Sequence, residues 1–109
     1  MTADVKFGEQ TVKLCGNAAT SIRFKQIFRT DLLMAFKGMS EESFETDTIK
    51  ELAFVMNKQA QGDDFKSISF DDYVEWLEGF DESEMLAAAP DIINIWMHNT
   101  QMSSKSKKK

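Results

Sequence analysis

The residues best suited to chemistry in this sequence are the acids between Asp63 and Asp72, the single cysteine Cys15 and the single histidine His98. The segment Ile68-Ser69-Phe70-Asp71-Asp72-Tyr73 has the layout of the second half of a calcium-binding loop set between two helical stretches. Counting back, the first ligand position falls on Gln61, the fifth on Phe65, and the sixth on Lys66, where such a loop needs glycine for its sharp turn. Asp63 and Asp72 alone stand at ligand positions, and Asp is a shorter arm than the usual bidentate Glu. The pattern therefore reads as an acidic loop followed by a capped helix.

Cys15 has no second cysteine to form a disulfide or a thiolate zinc site, and reads as a small hydrophobe near a strand end. His98 lacks a second histidine as a metal partner and suits a last helical turn, where a cation complements the helix dipole. No nucleophile, base and orienting group share a motif. The expectation is a protein without catalytic centre, metal or cofactor, working by contact.

The elements that would position such contacts follow from spacing. Asp4 to Cys15 alternates Val5, Phe7, Val12 and Leu14 with polar residues around Gly8-Glu9, a weak signal for a β-hairpin over residues 1–16. Asn17 or Thr20 then caps a helix with Ile22, Phe24, Ile27 and Phe28 at helical spacing. Thr30 caps a short second helix through Met34 and Phe36, stopped by Gly38. Ser40 to Phe44 contains an acidic start. Thr46 or Asp47 caps a longer helix carrying Ile49, Leu52, Ala53, Val55, Met56 and Ala60, ended by Gly62. Ser69 caps a helix from Phe70 to Phe80, with Asp71 and Asp72 in its first turn and Tyr73, Val74, Trp76 and Leu77 on its apolar side. A further stretch begins at Ser83, and Pro90 suits the first turn, or a kink, of a last helix with Ile92, Ile93, Ile95, Trp96 and Met97. The expected fold is mainly α, a small helical bundle with an N-terminal β-hairpin, forming one domain over residues 1–102. The basic tail 103–109 lacks apolar residues and is expected to be disordered.

Charge divides the chain. Residues 1–40 hold six Lys/Arg against three acids, whereas residues 41–104 hold three lysines against fifteen acids, within a net charge of -5. The acidic majority disfavours nucleic acid, which needs a continuous basic face. No apolar run spans a bilayer, and the first thirteen residues carry charges where a signal peptide would be apolar, so the expectation is a cytosolic protein without membrane contact. Nine Phe, two Trp and seven Met are more than a core of this size readily encloses. Most of the aromatics read as core. Met34, Met39, Met97 and Met102 read as the better candidates for a contact surface, in keeping with the adaptable packing of methionine.

The stretch Ile22-Arg23-Phe24-Lys25, with Ile27, Phe28, Asp31, Leu32 and Leu33, resembles the tail assembly chaperones of long-tailed bacteriophages. The likeness continues more loosely through Tyr73 to Trp76 and Pro90 to Met97 and covers most of the chain. Two positions depart from the family pattern: no proline precedes Ile22, and Arg29 stands where a small residue, often Gly, is common. The resemblance implies a small, mostly helical protein of the host cell cytoplasm that binds the tape measure protein and helps the major tail (tube) protein polymerise around it, without remaining in the virion. By the resemblance Arg23, Phe24, Asp31 and Leu32 occupy characteristic positions; Arg23 and Phe24 join the four methionines as expected partner contacts, and Phe28, Asp31, Leu32, Trp76 and Trp96 are expected structural positions. Arg23 and Asp31 are expected to pair across the first helix break. Self-association is a further expectation from the surplus apolar surface. Members are often also made in a longer form by ribosomal frameshifting, for which Lys107-Lys108-Lys109 offers an A-rich coding run. A small acidic adaptor or inhibitor of a folded host or phage partner fits the same composition.

Overall fold

Six successive residues of one helix, Leu52 to Asn57, are buried, which makes that helix the hub of the molecule and not a surface element. The computed structural model describes residues 1–37 and 46–97. The architecture is mainly helical with an N-terminal antiparallel hairpin, as the periodicity predicts. Strands β1 (Thr2–Phe7) and β2 (Gln10–Cys15) are followed by α1 (Thr20–Phe28), α2 (Leu32–Lys37), α3 (Thr46–Gln61), α4 (Phe70–Leu77) and α5 (Glu82–Ala87). A single 3₁₀ turn, Phe65–Ser67, joins α3 to α4, and residues 89–97 form the described part of α6. The expectations for Gly38, Met39, Ser40 to Phe44, His98, Met102 and the tail fall outside the described residues.

The hairpin pairs Val5 with Val12 and Phe7 with Gln10 across the turn Gly8-Glu9. Alternation turns Val5, Phe7, Val12 and Leu14 inward onto α3 and leaves Lys6, Thr11 and Lys13 outside. Two strands alone are marginal in water. Here α3 holds them: Asn57 donates from Nδ2 to the Lys13 carbonyl at 2.9 Å, and Gln59 from Nε2 to the Cys15 carbonyl at 2.7 Å. Gly16 then lets the chain pass against α6 so closely that a β-carbon there would lie 2.9 Å from the Ile95 carbonyl oxygen.

Helix ends show where local sequence decides. Gly62, at φ 73°, closes α3 with its N–H on the Gln59 carbonyl and the Asp63 N–H on the Lys58 carbonyl, the paired bonds of a Schellman motif. At α4, Ser69 and Asp72 form a reciprocal capping box, the Asp72 carboxylate accepting the Ser69 N–H at 2.8 Å. Other caps are displaced from the sequence expectation. The cap position of α1 is Ala19, without a side-chain hydrogen bond, because Asn17 accepts the Ala19 N–H in a local turn and the Thr20 hydroxyl is buried beneath Gln59. Asp31 caps α2 in place of Thr30, accepting the Met34 N–H at 3.2 Å, while the Thr30 hydroxyl turns back to the Phe28 carbonyl. Asp81 starts α5 in place of Ser83, accepting the Ser83 and Glu84 N–H groups, and the Ser83 hydroxyl holds its carboxyl below the usual range.

The core joins the hairpin, α1, α3, α5 and α6 through Phe7, Leu14, Phe24, Leu52, Met85 and Ile92, among others. An aromatic ladder runs along its flank. Phe28 meets Tyr73 at 4.9 Å, Tyr73 meets Phe54 at 5.3 Å, Phe54 meets Trp76 at 5.3 Å, Trp76 meets Phe80 at 4.8 Å, and Phe80 meets Phe7 at 5.3 Å. Edge-on and tilted ring contacts of this kind add about 0.5–1.5 kcal/mol each beyond area burial. They also absorb most of the aromatic surplus. Among the described side chains, Phe70 is the exposed aromatic, at 56%.

Candidate functional site

Exposed apolar surface remains on aliphatic side chains of α1 and α2, and on Phe70 and Val74 of α4. Ile22 is 69% exposed, Leu33 60% and Met34 63%. Ile22 and Leu33 line one shallow depression of about 230 Å³, together with Ser21, Lys25 and Asp31. Its position follows from the break between the helices. Arg29 ends α1 at φ 59°, a left-handed conformation that glycine adopts freely and a β-carbon disfavours. That is the physical reason a small residue suits this position. The chain then turns, Leu32 is buried as an anchor, and Asp31 caps the helix that carries Leu33 and Met34 outward.

The residues expected to contact partners separate on the structure. Met34 is exposed as expected. Phe24 is fully buried, so its assignment as a contact is corrected: it meets Phe28 at 5.2 Å inside the molecule. Arg23 is half-buried, with its guanidinium 4.5 Å from the centre of the Phe65 ring, where it clamps α1 to the 3₁₀ turn by a cation–π contact. The salt bridges among the described residues do not include the expected Arg23–Asp31 pair, since each group has found another role. Met97 is half-buried and packs against the core. Met39 and Met102 lie outside the described residues. Of the fold-determining positions, Leu32 and Trp96 are buried, Phe28 joins α1 to α4 in the aromatic ladder, and the half-buried Trp76 donates from Nε1 to Asn57 Oδ1 at 3.1 Å.

Sequence reasoning does not single out Ile22 and Leu33 as surface residues, because helical spacing reads Ile22 as a core position of an amphipathic helix. The signal is present in that Ile22 precedes Lys25 by one turn and so shares its solvent face.

The surface of α4 and of the turn before it is acidic and locally satisfied. Asp63, Asp64, Asp72, Glu75 and Trp76 line a depression of about 370 Å³. Asp72 is held by the capping box, Asp64 accepts the Lys66 N–H, and Asp63 pairs with Lys58 at 3.5 Å. Lys50 joins α3 to α5 through Glu82 at 2.7 Å, and that hydrogen bond raises its pKa. Burial, and then the nearby Asp47 carboxylate, pushes Glu51 up to about 7, with Lys50 opposing. Burial also raises Tyr73, reinforced by Glu51, Asp47 and Glu82.

The domain is mainly helical, with exposed aliphatic side chains on α1 and α2 and an acidic, capped α4 that also exposes Phe70 and Val74. Comparison with protein-family models, with curated proteins and with solved structures finds no match to this chain. Among the described residues no helix is long and apolar enough to cross a membrane.

Proposed function

We propose that this protein is a tail assembly chaperone of a long-tailed bacteriophage, acting in the host cytoplasm by binding and not by catalysis. It covers apolar segments of the tape measure protein, keeps that protein from aggregating, and yields it to incoming tube subunits. The observation that carries this reading is the coincidence of two features in one segment. Residues 22–34, which bear the family resemblance, also bear the exposed Ile22, Leu33 and Met34. Exposed aliphatic side chains grouped around a groove are what helix-in-groove binding uses. The acidic surface of α4 and α5 keeps the complex in solution. A longer frameshifted form, read from Lys107-Lys108-Lys109, belongs to the same proposal, and a coding sequence without a slippery heptamer there removes it.

The test is co-expression with the large helical protein encoded beside this gene. The partner is expected to become soluble only with this chain and to co-purify with it. If it is neither bound nor solubilised, the chaperone reading fails and an acidic adaptor with a folded partner takes its place.

A further inference from the structure

We propose that two copies of this protein pair along the outer edge of β1, antiparallel about a two-fold axis at Val5, to make one four-stranded sheet. The inference is independent of the chaperone reading and uses no residue of α1 or α2.

The hydrogen-bonding pattern of the hairpin leaves that edge open. Met1 N donates to the Gly16 carbonyl at 2.6 Å and the Gly16 N–H to the Met1 carbonyl at 2.8 Å, so these residues form a mutually bonded pair. Alternation along an antiparallel ladder then bonds Ala3 to Leu14, Val5 to Val12 and Phe7 to Gln10. It turns the backbone groups of Thr2, Asp4 and Lys6 outward on β1, and those of Thr11, Lys13 and Cys15 outward on β2. The β2 edge is covered by α3, whose Asn57 and Gln59 amides bond the outward Lys13 and Cys15 carbonyls. Among the described residues, no hydrogen bond reaches the outward backbone groups of Thr2, Asp4 or Lys6. An uncovered edge of this kind is a template for another strand.

Side chains select which strand. Charges on an edge usually keep copies apart. A two-fold register centred on Asp4 or on Lys6 does so, because it sets that residue against its own copy, like charge to like. The register centred on Val5 instead sets Asp4 opposite Lys6 of the second copy and Lys6 opposite its Asp4, in pairs that each exchange two backbone hydrogen bonds. These side chains are exposed, and neither is in a salt bridge among the described residues. Within the hairpin Lys13 stands opposite Asp4, so the row across the four strands reads Lys13, Asp4, Lys6 and Thr11 with unlike charges as neighbours. On the inward face Val5 meets its copy and Ala3 meets Phe7, which continues the apolar side of the sheet across the junction. The edge therefore rejects copies out of register and accepts one in register.

The experiment is sedimentation of the full chain over a range of concentrations, with amide hydrogen exchange at Asp4 and Lys6 followed by NMR. A concentration-dependent dimer is expected, in which those two amides exchange slowly and from which dilution frees them. Asp4→Lys and Lys6→Asp are each expected to raise the dimer dissociation constant roughly tenfold, since each turns two unlike pairs into like ones. Mixing the two variants restores a dimer, now of unlike chains, because opposite charges face each other again at both positions. Lys6→Asp faces Thr11 in its own hairpin and carries the test if Asp4→Lys, which faces Lys13, weakens the fold. A monomer at all concentrations, a dimer indifferent to both variants, or amides of Asp4 and Lys6 that exchange freely in the dimer overturns the proposal. So does a dimer that Leu33→Ser with Met34→Ser dissociates, because the exposed aliphatic side chains then make the contact. Slow exchange at the two amides only when the co-expressed partner is added refutes the second copy as well, and gives the edge to a strand of that protein.

Discussion

Helices α1, α4 and α5 pack on α3 and α2 packs on α1, yet the chain finishes α1–α2 and α4–α5 differently. At α4 and α5 each start carries a side-chain cap and acids in the first turn, and Lys50 ties α5 to α3. At α1 the cap position is an alanine without a side-chain bond, the first turn has no acid, and the helix ends on an arginine in a left-handed conformation. The exposed Ile22 lies on α1, and Leu33 and Met34 on α2, which Asp31 caps; Phe70 and Val74 are exposed on α4. Departures from local preference that gather in one region mark where a sequence answers to something other than its own stability. On the proposed function, α4–α5 would hold the fold and α1–α2 would make the partner contact.

The largest effect tests what the two pairs share. Phe54 is fully buried and touches Phe28, Tyr73 and Trp76, so Phe54→Ala is expected to destabilise the whole protein by about 3–5 kcal/mol in urea unfolding. A much smaller loss would mean that the ladder does not couple the pairs. The next test separates them. Ser69→Ala removes half of the capping box and is expected to cost about 1 kcal/mol. Arg29→Gly relieves the left-handed arginine and is expected to stabilise by about 1 kcal/mol. If both variants shift the urea midpoint in the same direction, the contrast between a finished and an unfinished helix pair is wrong.

Sequence makes the framework legible wherever the deciding interaction is local. The hairpin follows from alternation around Gly8-Glu9, the end of α3 from Gly62, and the α4 box from Ser69 and Asp72 three residues apart. It misplaces interactions settled by tertiary packing. Thr20 looks like a cap but is buried under Gln59, and Arg23 looks like a partner for Asp31 but finds the Phe65 ring in the turn that follows α3. The candidate surface is half legible. Met34 emerges from composition, while Phe24, which aromatic content and helical spacing read as core, is set among the contacts by the resemblance and is buried. Ile22 reads as core on the same spacing and is exposed.

A smaller effect concerns Glu51, on the α3 face toward Tyr73. Its folded pKa of about 7 stands above the ordinary 4.5, so between these values the folded protein holds a proton that the unfolded chain releases. Its contribution is intact below pH 4.5, declines as pH rises toward 7, and is level above that. Glu51→Gln removes the decline. The variant should match the parent near pH 4 and exceed it near pH 8 by on the order of 1 kcal/mol, the shift being discounted because the side chain is only about half buried. A difference that is the same at both pH values would show that Glu51 ionises normally in the folded protein.

The smallest expected effect is the most informative about α1–α2. Leu33 and Met34 are more than half exposed, so replacing both with serine removes little burial, and stability should stay within about 0.5 kcal/mol of the parent. An equally conservative pair of changes at buried positions of α3 would leave cavities and cost several kcal/mol. Surface aliphatic side chains that contribute nothing to folding but whose removal ends partner binding are there for the partner. If the serine variant loses about 2 kcal/mol or more, well beyond the usual range for surface changes, those side chains are covered within the protein itself. The α1–α2 pair would then serve the fold no less than α4–α5 does, and the division between a holding pair and a contacting pair collapses.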